Sequence, residues 1–167
     1  MIFILLHNLL LVAIIAINLT PLVKNEASVR TTEEYAEACN MTEEEFILIS
    51  SVTEAESNRS TDGNLDGRIY IAATILNRVE SDYFPNTIYE VLTQRNQFST
   101  VRNGQSITNR TEYSDEAVYQ AYQLLQEDKI PHNILFFNCR GFNYGTPFRL
   151  YENQNTIGGN YFMTYGD

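Results

Sequence analysis

Between Thr31 and Gln126 the apolar residues recur mostly at helical spacing, and beyond Pro131 they gather into short runs separated by Gly and Asn. Thr31 or Thr32 is placed to cap a short helix through Cys39. Thr42 followed by Glu45 is a capping box, and Glu43 and Glu44 add negative charge where the helix dipole favours it, so a helix is expected from Glu43 to about Glu56. Its Phe46, Ile49 and Val52 form an apolar face, and Ile47, Ser50 and Glu54 fall along the adjoining one. Ser57 to Gly67, rich in Asn, Asp and Gly, reads as loop. Asp66 then caps a helix from about Gly67 or Arg68 to Val79, so apolar that it should be the central buried element. Thr87 and Glu90 form a second capping box for a short helix to about Leu92, and a polar loop from Thr93 to Tyr113 contains Gln97-Phe98-Ser99. Ser114 begins a further helix striped by Ala117, Val118, Ala121, Leu124 and Leu125 and closed off by Pro131. Ile134 to Phe137, Phe148 to Tyr151 and Tyr161 to Tyr165 read as antiparallel strands. The pattern predicts an α+β domain, mainly helical, with a small C-terminal antiparallel sheet.

The other long apolar stretch, Ile2 to Leu22, carries no charge, and the first lysine is Lys24. Residues 1–23 are expected to be a secretory signal peptide or a single N-terminal membrane anchor, 24–31 a linker, and 32–167 the folded domain. Either reading places the domain outside the cytoplasm, secreted or held to the membrane. A chain of 167 residues leaves one domain of ordinary size after the leader, expected to be monomeric. The formal net charge of -10 argues against a nucleic-acid partner, because neutralising phosphates takes Lys and Arg. Cys39 and Cys139 are the only cysteines; an exported domain could join them in a disulfide, or they stand as two buried free thiols.

Histidine scarcity narrows the chemistry. With His7 in the leader, His132 is left alone in the domain, HExxH is absent, and a zinc site built on several histidines is hard to assemble, so no metal and no cofactor is expected. A Ser-His-Asp or Cys-His arrangement would have only His132 as base, and no glycine-rich phosphate loop is present. Carboxylate acid-base chemistry remains, for which glycosides are natural substrates. Glu54, at the border of core and cleft, is either a solvated helix-end residue or a carboxylic acid that apolar surroundings keep neutral and able to protonate a leaving oxygen. Asp62 and Asp66 are second carboxylates or ordinary loop and cap residues. Phe136, Phe137, Phe142, Tyr144 and Tyr151 offer stacking faces for sugar rings, or fill the core beneath the sheet.

Several segments resemble one family, the SleB-type cell-wall hydrolases that include spore cortex-lytic enzymes. The helix from Asp66-Gly67-Arg68-Ile69 to Leu76-Asn77-Arg78-Val79 is similar to the family's Gly-Gln-Val-Ala-Val-Ala-Ala-Val-Ile-Leu-Asn-Arg-Val. Phe84-Pro85-Asn86-Thr87-Ile88, Gln97-Phe98-Ser99, Leu135-Phe136-Phe137-Asn138 and Ile157-Gly158-Gly159 follow in the family's order. The resemblance implies a fold like that of lysozyme-like lytic transglycosylases and cleavage of peptidoglycan between N-acetylmuramic acid and N-acetylglucosamine. It places the catalytic acid at Glu54, in Val52-Thr53-Glu54-Ala55, with Tyr70, Asn77, Gln97, Phe137 and Asn138 as candidate substrate-binding residues. Two departures bear on the cleft walls: Ser57-Asn58 and a longer loop stand where the family has Gly-Glu, and Asn160 stands where it often has His.

A single acid then suffices: Glu54 protonates the glycosidic oxygen and, as carboxylate, takes the proton of the muramic acid C6 hydroxyl to close a 1,6-anhydro ring, or water enters and the product is a reducing end. Two alternatives are an N-acetylmuramoyl-L-alanine amidase and a catalytically inactive peptidoglycan-binding relative.

Overall fold

The structure, a computed structural model, describes residues 30–57, 65–98, 101 and 110–165. The leader, most of the linker and Asp62 lie outside the described residues.

Helix α1 (Thr32–Ala38) starts at a Thr31–Glu34 capping box, and α2 (Glu43–Glu56) starts at the Thr42–Glu45 box read from the sequence. Between them Asn40 takes a left-handed φ of 53°, which lets its own N–H and that of Met41 close back on the Glu37 and Ala36 carbonyls at 3.0 and 2.9 Å. Asp128 (φ 54°) ends α5 (Glu112–Gln126) in the same way, so that helix stops before Pro131 is reached. The start of α5 also differs from expectation. Thr111, rather than Ser114, is the cap; Ser114 is the third helical residue, with its backbone N–H on the Thr111 hydroxyl and its own hydroxyl accepting from the Thr111 N–H. Helix α3 (Leu65–Glu80) likewise begins before Gly67, with Asp66 inside its first turn instead of capping it. The short α4 (Ile88–Thr93) follows the Thr87 cap.

Helix α3 is the central element that its composition demands: Ile71, Ala72, Ala73 and Ile75 are wholly buried, and it packs against α2, α4, α5 and the first strand. Phe46, Ile49 and Val52 of α2 are equally closed off. The sheet is antiparallel, with β1 (Ile134–Asn138), β2 (Thr146–Phe148) and β3 (Tyr161–Thr164) in the order β1-β3-β2. The second strand in the chain was expected over 148–151. It runs instead over 146–148, at the edge of the sheet, a position that tolerates Pro147. Among the described residues no helix is long and apolar enough to cross a membrane.

Two contacts lock α3 to the sheet region. The Asn77 amide donates to the Pro131 and Ile134 carbonyls at 2.9 and 3.1 Å, and Arg78 Nε donates to the Leu135 carbonyl at 2.8 Å. At the other end of the helix, Gly67 lies so close to the Ile157-Gly158 turn that a Cβ on it would meet Gly158 Cα at 2.7 Å. Backbone faces backbone there, so neither side can yield by a rotamer change. Gly67→Ala should therefore lower stability by about 1–3 kcal/mol, as for other overpacked positions. Urea unfolding measures this, and an unchanged midpoint would show that the helix and turn separate freely.

Candidate active site

Glu54 stands in the last turn of α2, 8% exposed. Arg68, from the first turns of α3, meets it side-on, with Nε on Oε2 at 2.8 Å and Nη2 on Oε1 at 2.9 Å. The Thr111 hydroxyl donates to the same Oε2 at 2.9 Å. Because that hydroxyl also accepts the Ser114 N–H, one side chain both caps α5 and fixes the carboxylate. A hydroxyl chain continues inward, where Ser50 donates to Asp115 at 2.6 Å, and Arg110 closes on Asp115 from outside. Thr111→Val should lose about 1 kcal/mol for the cap and about 1.5–3 for the bond to a charged group, read as a lowered thermal midpoint.

This geometry corrects one expectation. Apolar surroundings were to keep Glu54 neutral; instead a guanidinium presents two parallel N–H groups to it, an arrangement that favours the ionised carboxylate. Arg68 and Thr111 are the residues that sequence reasoning missed. The signal for Arg68 was present: a charge embedded in a helix that is otherwise core needs a partner, and the family's helix has Gln there. Thr111 gave none, because the helix was expected to begin at Ser114, two residues after its actual first residue, Glu112.

Two residues beyond Glu54, Glu56 lines a cavity of about 660 Å³ between the end of α2, the segment after α4, and the sheet. Three predicted binding residues, Gln97, Phe137 and Asn138, converge on it, with Phe136, Phe142 and Tyr144. The other two do not. Tyr70 is buried between α3 and the sheet, its ring 5.3 Å from Phe148 and 5.7 Å from Phe162, and burial, then Asp66 and Tyr151, raise its pKa. Asn77 is tied to the Pro131 and Ile134 carbonyls and lines a different cavity, with Cys39 and His132. Both sit on the core face of α3 and hold the fold together.

The cysteines are free, contrary to the disulfide that their number allowed: Cys39 is buried at the end of α1 and Cys139 is exposed on the wall of the 660 Å³ cavity. Burial pushes the Cys39 thiol up to about 12. His132 is half exposed and pairs with Asp128 at 3.2 Å. Among the described residues no three His, Cys, Asp or Glu converge as metal ligands would.

The mainly helical α+β scaffold, with an aromatic, amide-rich cavity at the end of α2, is that of a hydrolase acting on cell walls. The chain belongs to the Cell Wall Hydrolase family, whose model matches residues 63–163. It is similar to the catalytic domain of the Bacillus cereus SleB protein, at 24% identity and a TM-score of 0.56 over 74% of this chain and 91% of that one. It is also similar to the catalytic domain of the germination-specific lytic transglycosylase SleB from Bacillus anthracis, at 22% identity and 0.56 over 74% and 96%. No curated protein matches the chain. The family match begins after Glu54 and does not bear on that residue.

Proposed function

We propose that the protein cuts the glycan strands of peptidoglycan between N-acetylmuramic acid and N-acetylglucosamine, outside the cytoplasm, with Glu54 as the one acid and base. The observation that carries this reading is the fixed position of Glu54 in the last turn of α2, the helix whose Glu56 lines the aromatic cavity, on a scaffold of the cell wall hydrolase family. As an ion pair Glu54 has no proton to give. Arg68 must therefore leave it when substrate enters, and an almost buried carboxyl relieved of its cation takes up a proton. Neutral Glu54 then protonates the glycosidic oxygen, and its carboxylate accepts the C6 hydroxyl proton to give the 1,6-anhydro end, or activates water to give a reducing end.

The same ion pair favours a second reading, in which Arg68 holds Glu54 permanently ionised and the protein binds peptidoglycan without cutting it. Mass spectrometry of purified peptidoglycan after digestion separates the two. Anhydro or reducing muramic acid ends that the Glu54→Gln variant does not produce are the expected result. Intact strands would favour the binding reading, and released stem peptides an amidase.

A further inference from the structure

The 660 Å³ cavity contains chemistry that glycan cleavage by Glu54 does not use. Arg78 and Asn160 line it, and both are less than a tenth exposed. Beyond its Nε bond to the Leu135 carbonyl, the Arg78 guanidinium is surrounded by rings, with centroids of Phe84, Phe98 and Phe136 at 4.8, 5.2 and 5.4 Å. Its Nη1 is closed to solvent and meets no acceptor, and Asn160 Nδ2 is in the same condition. No acid pairs with Arg78 among the described residues, whereas both Arg68 and Arg110 have one. Burial without a counter-ion lowers the Arg78 pKa to about 10. Aromatic faces compensate a buried cation only in part, and a donor left unmet is costly. The lining of this cavity thus carries a positive charge whose Nη1 meets no acceptor and an amide nitrogen in the same condition, together with the rings of Phe136, Phe137 and Phe142.

We propose that the cavity is a carboxylate-binding subsite, in which Arg78 and Asn160 receive the carboxylate carried by a muramic acid residue while the phenylalanine rings cover its sugar. The choice of muramic acid as the carrier rests on the peptidoglycan reading above; the affinity for a carboxylate does not. The carboxylate comes from the lactyl ether of a residue stripped of its peptide, or from the end of an attached stem peptide. Glu56, on the same wall, opposes an incoming anion and sets a limit on affinity.

Cys139 supplies the readout. It is exposed on the cavity wall, while Cys39 is buried and its thiol too poorly ionised to compete. Alkylation of the full-length protein by iodoacetamide is followed in the presence of N-acetylmuramic acid, N-acetylmuramoyl-L-alanyl-D-isoglutamine or N-acetylglucosamine. Protection of Cys139 by one or both muramic compounds at concentrations about tenfold below any protection by N-acetylglucosamine is expected, a difference of about 1.4 kcal/mol. Protection by N-acetylmuramic acid alone assigns the lactyl carboxylate, and protection by the dipeptide alone the peptide carboxylate. Equal protection by all three, or none by any, overturns the subsite. Asn160→Asp, which keeps the shape and adds a negative charge, should raise the concentration needed at least tenfold, and Glu56→Gln should lower it; no change in either variant also overturns it. Glu54→Gln should leave protection as it is. Protection without glycan cleavage by the wild type would sink the cleavage reading and leave the subsite standing.

Discussion

Glutamine in place of Glu54 is expected to abolish glycan cleavage and, in the same molecule, to weaken the fold. Loss of a positioned acid-base group removes about 10²–10⁴-fold in rate, measured by release of muramic acid ends from purified peptidoglycan. The stability result is the more discriminating of the two. If Glu54 rested as a neutral acid, glutamine would reproduce its shape and hydrogen bonds at little expense. Because Arg68 closes on it with two charge-assisted bonds in a site with side-chain exposures of 5% and 11%, the substitution leaves a guanidinium buried opposite an amide. Breaking a buried pair from one side costs about 3–5 kcal/mol. A denaturation midpoint equal to the wild type's would mean that the ion pair contributes nothing to folding.

Arg68→Gln tests the same pair from the other side. It restores the residue that the family's helix has at this position and retains one N–H donor for Glu54. Stability should fall by the cost of the broken pair less the about 1–1.5 kcal/mol that an amide bond returns. The more informative readout is the pH dependence of cleavage. Taking away the cation makes the carboxyl bind its proton more tightly, so the protonated acid survives to higher pH, and the alkaline limb of the rate profile moves upward. A limb that stays in place, or moves toward acid, would show that Arg68 does not govern the proton on Glu54. Activity gained from no activity at all would identify Arg68 as the clamp of an otherwise competent enzyme.

The helices were legible because their signals are local. The Thr42–Glu45 box and the Phe46, Ile49, Val52 stripe need only a few residues to be read, and the observed α2 has the expected bounds. The start of α5 was misread because the acidic residues after Ser114 suggest a first turn just as well as Thr111 does. The second strand was misplaced because the aromatic run Phe148 to Tyr151 outweighed a three-residue strand carrying a proline.

The site was legible by half, and for a physical reason. The matching segments owe much of their likeness to the fold: Gly67 abuts Gly158, and Asn77 and Arg78 bind the carbonyls of Ile134 and Leu135. Such residues announce a scaffold. Asn77, taken for a binding residue, is one of them. The partners of Glu54 come from 14 and 57 positions further along the chain, and no periodicity in one sequence reports a pairing of that range.

Thr111 and Arg68 have a property in common beyond their shared partner. Each belongs to the start of a helix, Arg68 in the first turns of α3 and Thr111 as the cap of α5, and each reaches back to the last turn of α2. Three helix ends thus meet at one carboxylate, so a shift of α3 or α5 against α2 changes the partners of Glu54.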